Sequence, residues 1–287
     1  MTAPAGFGTL VPVLFVLLWA SGFVVARWAA TVSTPLAFLA LRFALTLLVL
    51  WPLILAARAP WPDPRTLRHL AVVGLLIHAA YLGGVWVAVW LGMSSGVSAL
   101  IVNLQPVLTA VWMAQFGERL RGRQWLGLVL GFGGVALVLA HKVDAEGLSI
   151  AAIGLCAGAL LAITAGTLYQ RRFAPDFDLR TGTFVQYAAA LVAVAPLAWA
   201  IEGALPRPGV TLAVALAWSV LALSIGGVFL MFVLIRRGSA TRVASLFYLV
   251  PPVTAVQAWL LFGEPFGLLA VAGTVLTAIG VALVVRR

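Results

Sequence analysis

The stretch GMSSGVSALIVNLQPVLTAVWMAQFGERLRGRQWLGLVLGFGGVALV, residues 92–138, recurs as GSATRVASLFYLVPPVTAVQAWLLFGEPFGLLAVAGTVLTAIGVALV, residues 238–284. The offset is a constant 146 residues without a gap, and 16 of the 47 positions are identical. Both copies set a proline in an apolar run (Pro106, Pro252) and then break at Phe116-Gly117-Glu118 and Phe262-Gly263-Glu264. Each closes on Gly-Val-Ala-Leu-Val, at 134–138 and 280–284. A chain rich in Ala, Leu and Val gives some identities by chance. A Phe-Gly-Glu break at matching places between two apolar runs is much harder to get that way. A duplicated apolar unit is the pattern of a membrane protein built from two related halves.

Composition supplies the solvent. The 287 residues are 63% hydrophobic and 9% charged, with a mean hydropathy of +1.12, against roughly 25% charged residues in soluble domains. So few charges cannot cover a soluble globule, and most of the chain must face lipid. The formal charge of +10 comes from 17 Arg and Lys142. These sit at the ends of apolar runs, which argues against a nucleic-acid partner. Cys156 stands alone in an apolar run, so there is no disulfide framework and the redox compartment is not readable. Residues 1–9 carry no basic residue and no cleavage site, and read as the lead into a retained first span.

Apolar runs of roughly 18–24 residues suit a hydrocarbon slab of ~30 Å. Ten are present, at about 9–31, 35–57, 69–91, 96–116, 124–141, 148–170, 181–201, 211–235, 240–262 and 266–285. With the N-terminus in the cytoplasm, cytoplasmic loops and the C-terminus collect Arg58, Arg65, Arg68, Arg119, Arg121, Arg123, Arg171, Arg172, Arg180, Arg236, Arg237, Arg242, Arg286 and Arg287. Only Arg27, Lys142 and Arg207 fall on the other side, and Arg42 lies within a span. This asymmetry sets both termini inside.

Five spans per half is an odd number, so the second half enters the membrane from the opposite face. The earlier spans match more weakly at an offset of 144: Gly22 with Gly166, Arg27 with Arg171, Pro52-Leu53 with Pro196-Leu197. Glu118 has Arg119, Arg121 and Arg123 beside it, whereas Glu264, at the opposite face, has no arginine nearby in sequence. The expected fold is an all-α integral membrane protein of ten transmembrane helices. They form two inverted five-helix repeats, residues 1–143 and 144–287, around a midplane site.

These residues resemble a known family. Ser33–Phe43 is similar to the second-helix pattern of EamA-type members of the drug/metabolite transporter superfamily. Pro106–Glu118 followed by Trp125–Leu139, and the copy Pro252–Leu283, resemble the family's fourth-to-fifth and ninth-to-tenth helices. The resemblance covers essentially the whole chain. It implies a ten-helix inner-membrane carrier of small metabolites, often working outward, nearest in kind to amino-acid exporters of the YddG type. The chain lacks the membrane-buried carboxylate of the four-helix multidrug members, which argues against proton antiport by their mechanism.

Polar groups at membrane depth are costly and mark cavities or packing seams. Gly74, His78, Tyr81 and Val85 form one stripe of the third span. His78 and Tyr81 would offer hydrogen bonds and a ring to substrate, or alternatively glue helices together. Asn103 and Tyr248 lie near the span-breaking Pro106 and Pro252, which would act as hinges or as static kinks. Gln105 would repair backbone bonding there. Arg42 either snorkels outward or meets a substrate carboxylate. Its repeat counterpart is Gln186, beside Tyr187. Trp19, Ser21 and Thr164 are further midplane candidates. Trp51, Trp61, Trp86 and Trp90 read as interface anchors. Gly127, Gly131, Gly134, Gly273, Thr277 and Gly280 read as close helix packing, between halves or between protomers. Glu118 and Glu264 should cap loop amides or pair with arginines, with gate closing as the other reading.

No metal-ligand spacing, phosphate loop or serine elbow occurs, so neither a cofactor nor an enzymatic role is expected. The expected partners are a small-molecule substrate and the lipid bilayer, with the protein a monomer or homodimer. A lipid flippase or accessory membrane subunit is the alternative, followed by a membrane-embedded enzyme, for which the loops are short and plain.

Overall fold

A computed structural model describes residues 5–115, 121–146, 148–203, 206–237, 246–264 and 267–285. The described residues form helices and connecting turns, with no strand among them. The helices are α1 (Ala5–Ala29), α2 (Pro35–Ala57), α3 (Pro64–Trp90), α4 (Ser95–Gln115), α5 (Gly122–Glu146), α6 (Ile150–Phe173), α7 (Leu179–Glu202), α8 (210–237), α9 (Phe247–Phe262) and α10 (Leu268–Val285). Eight contain an apolar stretch long enough to cross a bilayer, and two shorter apolar helices, Phe247–Phe262 and Leu268–Val284, complete the ten. The chain is an integral membrane protein. The Phe116-Gly117-Glu118 break, Arg119, residues 238–245 with Arg242, and Arg286 and Arg287 fall outside the described residues.

Local chemistry sets the boundaries. Arg58 adopts a left-handed conformation (φ +47°) that stops α2. The third helix starts at Pro64, five residues before its expected position. Asp63 accepts hydrogen bonds from the Arg65 and Thr66 amides, and proline fits the first turn. The Thr66 hydroxyl and these amides hold the Asp63 carboxyl below the usual carboxylate range. Asp178 caps α7 in the same way, its carboxyl lowered by the Arg180 side chain and amide. Gly263 (φ +65°) ends α9 within the second Phe-Gly-Glu break.

The prolines act differently from simple kinks. The helix of α4 is interrupted at Asn103-Leu104 and restarts as Gln105–Gln115. In α9 a 3₁₀ turn, Phe247–Leu249, precedes Val250–Phe262. Pro106 and Pro252 thus lie in the first turn of the new segment, where a missing N–H leaves no broken bond.

Two features escape sequence periodicity. Leu75–Leu82 in α3 and Trp218–Gly227 in α8 wind as π-helix, a local widening often found at functional sites. The two lie at equivalent places in the halves. The wider turn also breaks up the expected Gly74–His78–Tyr81–Val85 stripe. His78 meets α7, whereas Tyr81 lies near Arg42 of α2 and Cys156 of α6.

Packing repeats with the sequence. α3 packs on α6 and α8 on α1, α3 on α7 and α8 on α2, and α4 on α6 and α9 on α1. The α2–α7 and α5–α10 pairs are each their own equivalent. A Cβ on Gly127 would come 2.6 Å from the Gly280 carbonyl oxygen, and one on Gly280 the same distance from that of Gly127. Gly134 and Gly273 face each other in the same reciprocal way. The glycine seam therefore joins the two halves, which settles that part of the expectation. The pseudo-twofold axis runs from the α2–α7 crossing to the α5–α10 crossing, as inverted repeats require.

Candidate functional site

At the α2–α7 crossing the repeat places Arg42-Phe43 opposite Gln186-Tyr187, 144 residues apart. The Phe43 and Tyr187 rings meet at 5.5 Å. Tyr187 stacks on His78 at 4.1 Å with an interplanar angle of 20°. His78 Nε2 lies 3.3 Å from Gln186 Oε1, and the imidazole N–H donates in the Nε2-protonated tautomer. Gly74 makes this approach possible, because a Cβ there would collide with the backbone of Gln186. On the other side of the axis, Arg42 Nε donates to Ser224 Oγ at 3.2 Å.

These two bonds are equivalents. Arg42 and Gln186 differ by 144, His78 and Ser224 by 146, and each bond ties α2 or α7 to the π-helical segment of the other half. A second pair follows the same rule: Gly22 lies against Leu223 and Gly166 against Ile77. The widened turns thus carry equivalent contacts between the halves at this crossing.

Arg42 is 5% exposed and does not snorkel. Its guanidinium lies 6.0 Å from the Trp86 ring centroid, with Tyr187 and Tyr81 within electrostatic reach. Among the described residues no carboxylate pairs with it. A buried guanidinium with free N–H donors has the chemistry to pair with an anion. Trp86, expected at a membrane interface, is 3% exposed and stacks on Phe38 at 4.7 Å. It is half of the wall beside Arg42, not an anchor. Trp51, Trp61 and Trp90 are exposed.

The other candidates separate from this cluster. The Thr164 hydroxyl is satisfied by Leu160 O of its own helix at 2.7 Å. Ser21 donates to Leu18 O and accepts from Trp218 Nε1. The Tyr248 hydroxyl donates to Val281 O of α10 at 3.1 Å. Trp19 belongs to a ring cluster with Phe15 and Phe247, each at 5.3 Å, and borders Gly227 at the end of the second π segment. Asn103 caps the break in α4, and its side chain makes no hydrogen bond among the described residues. Gln105 does not repair local bonding; it donates to Thr167 of α6 at 3.1 Å.

Tyr187 and Ser224 were not among the expected site residues. Tyr187 stands beside Gln186 in sequence, and Ser224 is the repeat equivalent of His78. Among the described residues no cluster of His, Cys, Asp and Glu could hold a metal ion.

One face of the molecule is stapled by two carboxylates of the second half. Glu202, at the end of α7, accepts from the Leu36 and Ala37 amides of α2 at 2.9 and 2.8 Å. Glu264 accepts from the Ser95 amide and hydroxyl of α4, both at 3.4 Å, and pairs with Arg27 Nε at 3.1 Å. Glu264 therefore caps an amide and pairs with an arginine, as expected of it; the expectation that no arginine is nearby is corrected, because Arg27, distant in sequence, packs beside it at the end of α1.

Comparison with known proteins agrees with this architecture. The model of the EamA-like transporter family matches residues 6–140 and 150–286. The inner membrane transporter YedA of Escherichia coli K12, itself uncharacterized, is 26% identical over 248 residues, covering 86% of this chain and 80% of its own. A probable amino-acid metabolite efflux pump of Salmonella typhimurium is 27% identical over 277 residues, covering 93% and 91%. A probable terminal-alkyne amino-acid exporter of Streptantibioticus cattleyicolor is 27% identical over 197 residues, covering 67% and 65%. A solved crystal structure superposes with a TM-score of 0.65 at 19% identity, over 98% of this chain and 96% of its own, a likeness of fold. Two apolar halves, their reciprocal packing and a family match over both halves lead to one conclusion: the chain belongs to the EamA-like transporter family.

Proposed function

We propose that the chain is a secondary carrier that exports small metabolites, amino acids foremost, across a bacterial inner membrane by alternating access. The two rocking units are residues 1–143 and 144–287. The observation that carries this reading is the equivalent pair of bonds, Arg42–Ser224 and His78–Gln186, each bridging the halves at a π-helical segment. A site on the pseudo-twofold axis looks the same to both faces, which alternating access needs. Arg42, His78, Tyr81 and Gln186 contact substrate there, with Tyr187 and Ser224 joining them. Asn103, the open polar side chain at the α4 break, is the next contact. Trp19, Ser21, Thr164 and Tyr248 border the path, and the breaks before Pro106 and Pro252 are the hinges. The names of the Salmonella and Streptantibioticus relatives support amino acids and export.

The arginine asymmetry places both termini in the cytoplasm and residues 144–147 outside. In a Cys156→Ala background, an impermeant thiol reagent added outside is expected to label a cysteine at position 145 and to miss one at position 122. The reverse pattern would overturn the orientation.

Each described acidic residue lies in or beside a loop or at a helix end, so no carboxylate among the described residues is placed to carry a proton through the midplane. The carrier runs down its substrate's gradient or exchanges substrates. Counterflow of labelled amino acids in proteoliposomes is expected without a pH or sodium gradient, and an imposed pH gradient should not concentrate substrate. Uphill accumulation driven by protons would contradict this, and its loss in His78→Gln would make that histidine the coupling group.

A further inference from the structure

We propose that Arg42 is the carboxylate-binding residue of the axis site, and that the site accepts organic monocarboxylates with an apolar or aromatic body whether or not they carry an α-amino group. This deepens the carrier reading and rests on it. The guanidinium is buried and spends its Nε on Ser224, and among the described residues no carboxylate neutralises it. A buried charge that only a hydroxyl and a ring face compensate is costly, and a bound anion would relieve that cost. The planar fork suits a carboxylate held by two parallel bonds. The surroundings are rings: Trp86 at 6.0 Å, with Tyr81 and Tyr187 within electrostatic range of the charge. Phe43 and His78 complete the wall through Tyr187. Such a lining receives an apolar body and leaves a second charge poorly solvated.

The acidic side chains point to the second half of the proposal. An ammonium group is normally fixed by a carboxylate, yet those described are engaged or stationed at helix ends. Asp63 and Asp178 cap α3 and α7, Asp176 lies in the turn before α7, and Glu202 and Glu264 staple α2 and α4. Among the described side chains, the amino group of an amino acid therefore finds no carboxylate at the site. Recognition rests on the carboxylate and on the body of the molecule.

Three probes of nearly one shape test this: phenylalanine, 3-phenylpropanoate and phenethylamine. Binding to the purified full-length protein is read as the rise in its thermal unfolding midpoint, and exchange as counterflow of labelled phenylalanine in proteoliposomes. Phenylalanine and 3-phenylpropanoate are expected to raise the midpoint and to compete within about threefold of each other, while phenethylamine does neither. In Arg42→Gln the carboxylates should bind about 10- to 100-fold more weakly, the size of a charge-assisted hydrogen bond or two. Arg42→Lys keeps the charge but loses the fork and should fall between. If Arg42→Gln does not fold, Arg42→Lys carries the test: carboxylate binding equal to that of the parent protein would overturn the assignment. Equal stabilisation by phenethylamine, or no stabilisation by either carboxylate, overturns the proposal. Undiminished phenylalanine exchange in Arg42→Gln overturns it too, and leaves the carrier reading standing. A protein that binds the carboxylates through Arg42 but exchanges nothing does the opposite.

Discussion

Gly134→Ala is expected to destabilise the protein by about 3 kcal/mol, whereas Gly133→Ala, one residue away, is expected to be neutral or slightly stabilising. The added methyl at 134 would lie 2.5 Å from the Gly273 carbonyl oxygen and from the Thr277 hydroxyl, and 2.8 Å from the Thr277 amide nitrogen. Those are mostly backbone atoms of α10, which cannot swing aside, so α5 and α10 must separate. Overpacking of this kind costs about 1–3 kcal/mol, with backbone obstacles at the upper end. A methyl at 133 meets nothing within 4 Å. There the exchange only gains the better helix propensity of alanine, about 1 kcal/mol at most. Thermal unfolding of the two variants in the same detergent checks this. Equal midpoints would mean that the α5–α10 seam does not join the halves.

Much of this architecture is legible in the sequence because it rests on periodic or additive signals. Ten apolar runs, an odd number per half and the arginine asymmetry each need only a count. The Phe262-Gly263-Glu264 break reads as a boundary because Gly263 takes the left-handed conformation that ends a helix. The π-helical segments are hidden for a physical reason. The segments themselves are apolar nearly all round, so no polar face within them registers a change in the winding. Sequence depth alone left Arg42 balanced between snorkelling and facing inward. The balance is broken by Ser224 and Trp86, which are 182 and 44 residues away. Trp86 was misread because tryptophan near the end of an apolar run usually marks an interface, and only the packing on Phe38 reveals otherwise. Ser224 could have been found by carrying the 146-residue offset back from Gly92 to His78. Tyr248 stands at a helix break, and the sequence does not indicate that its hydroxyl donates to Val281 O of α10.

The staple at Glu202 and Glu264 bears on the proposed rocking of the halves. Both carboxylates belong to the second half, and the amides, hydroxyl and guanidinium they hold belong to the first. Carboxylates at helix N-termini are favoured by the exposed amides and the local dipole. Glu264 is 9% exposed, so its bond to Arg27 is shielded from water more than a surface pair is. Under alternating access this face opens only when the contacts part, and chemical closure of the staple must stop the cycle.

The test is a cysteine pair, Ser95→Cys with Glu264→Cys, in the Cys156→Ala background, bridged by a short reducible bifunctional thiol reagent in proteoliposomes. Counterflow of labelled amino acid is expected to fall to the protein-free level once bridging is complete, and to return when the bridge is reduced. Undiminished counterflow across a fully bridged population would contradict the account, because the halves would then carry substrate without parting at that face.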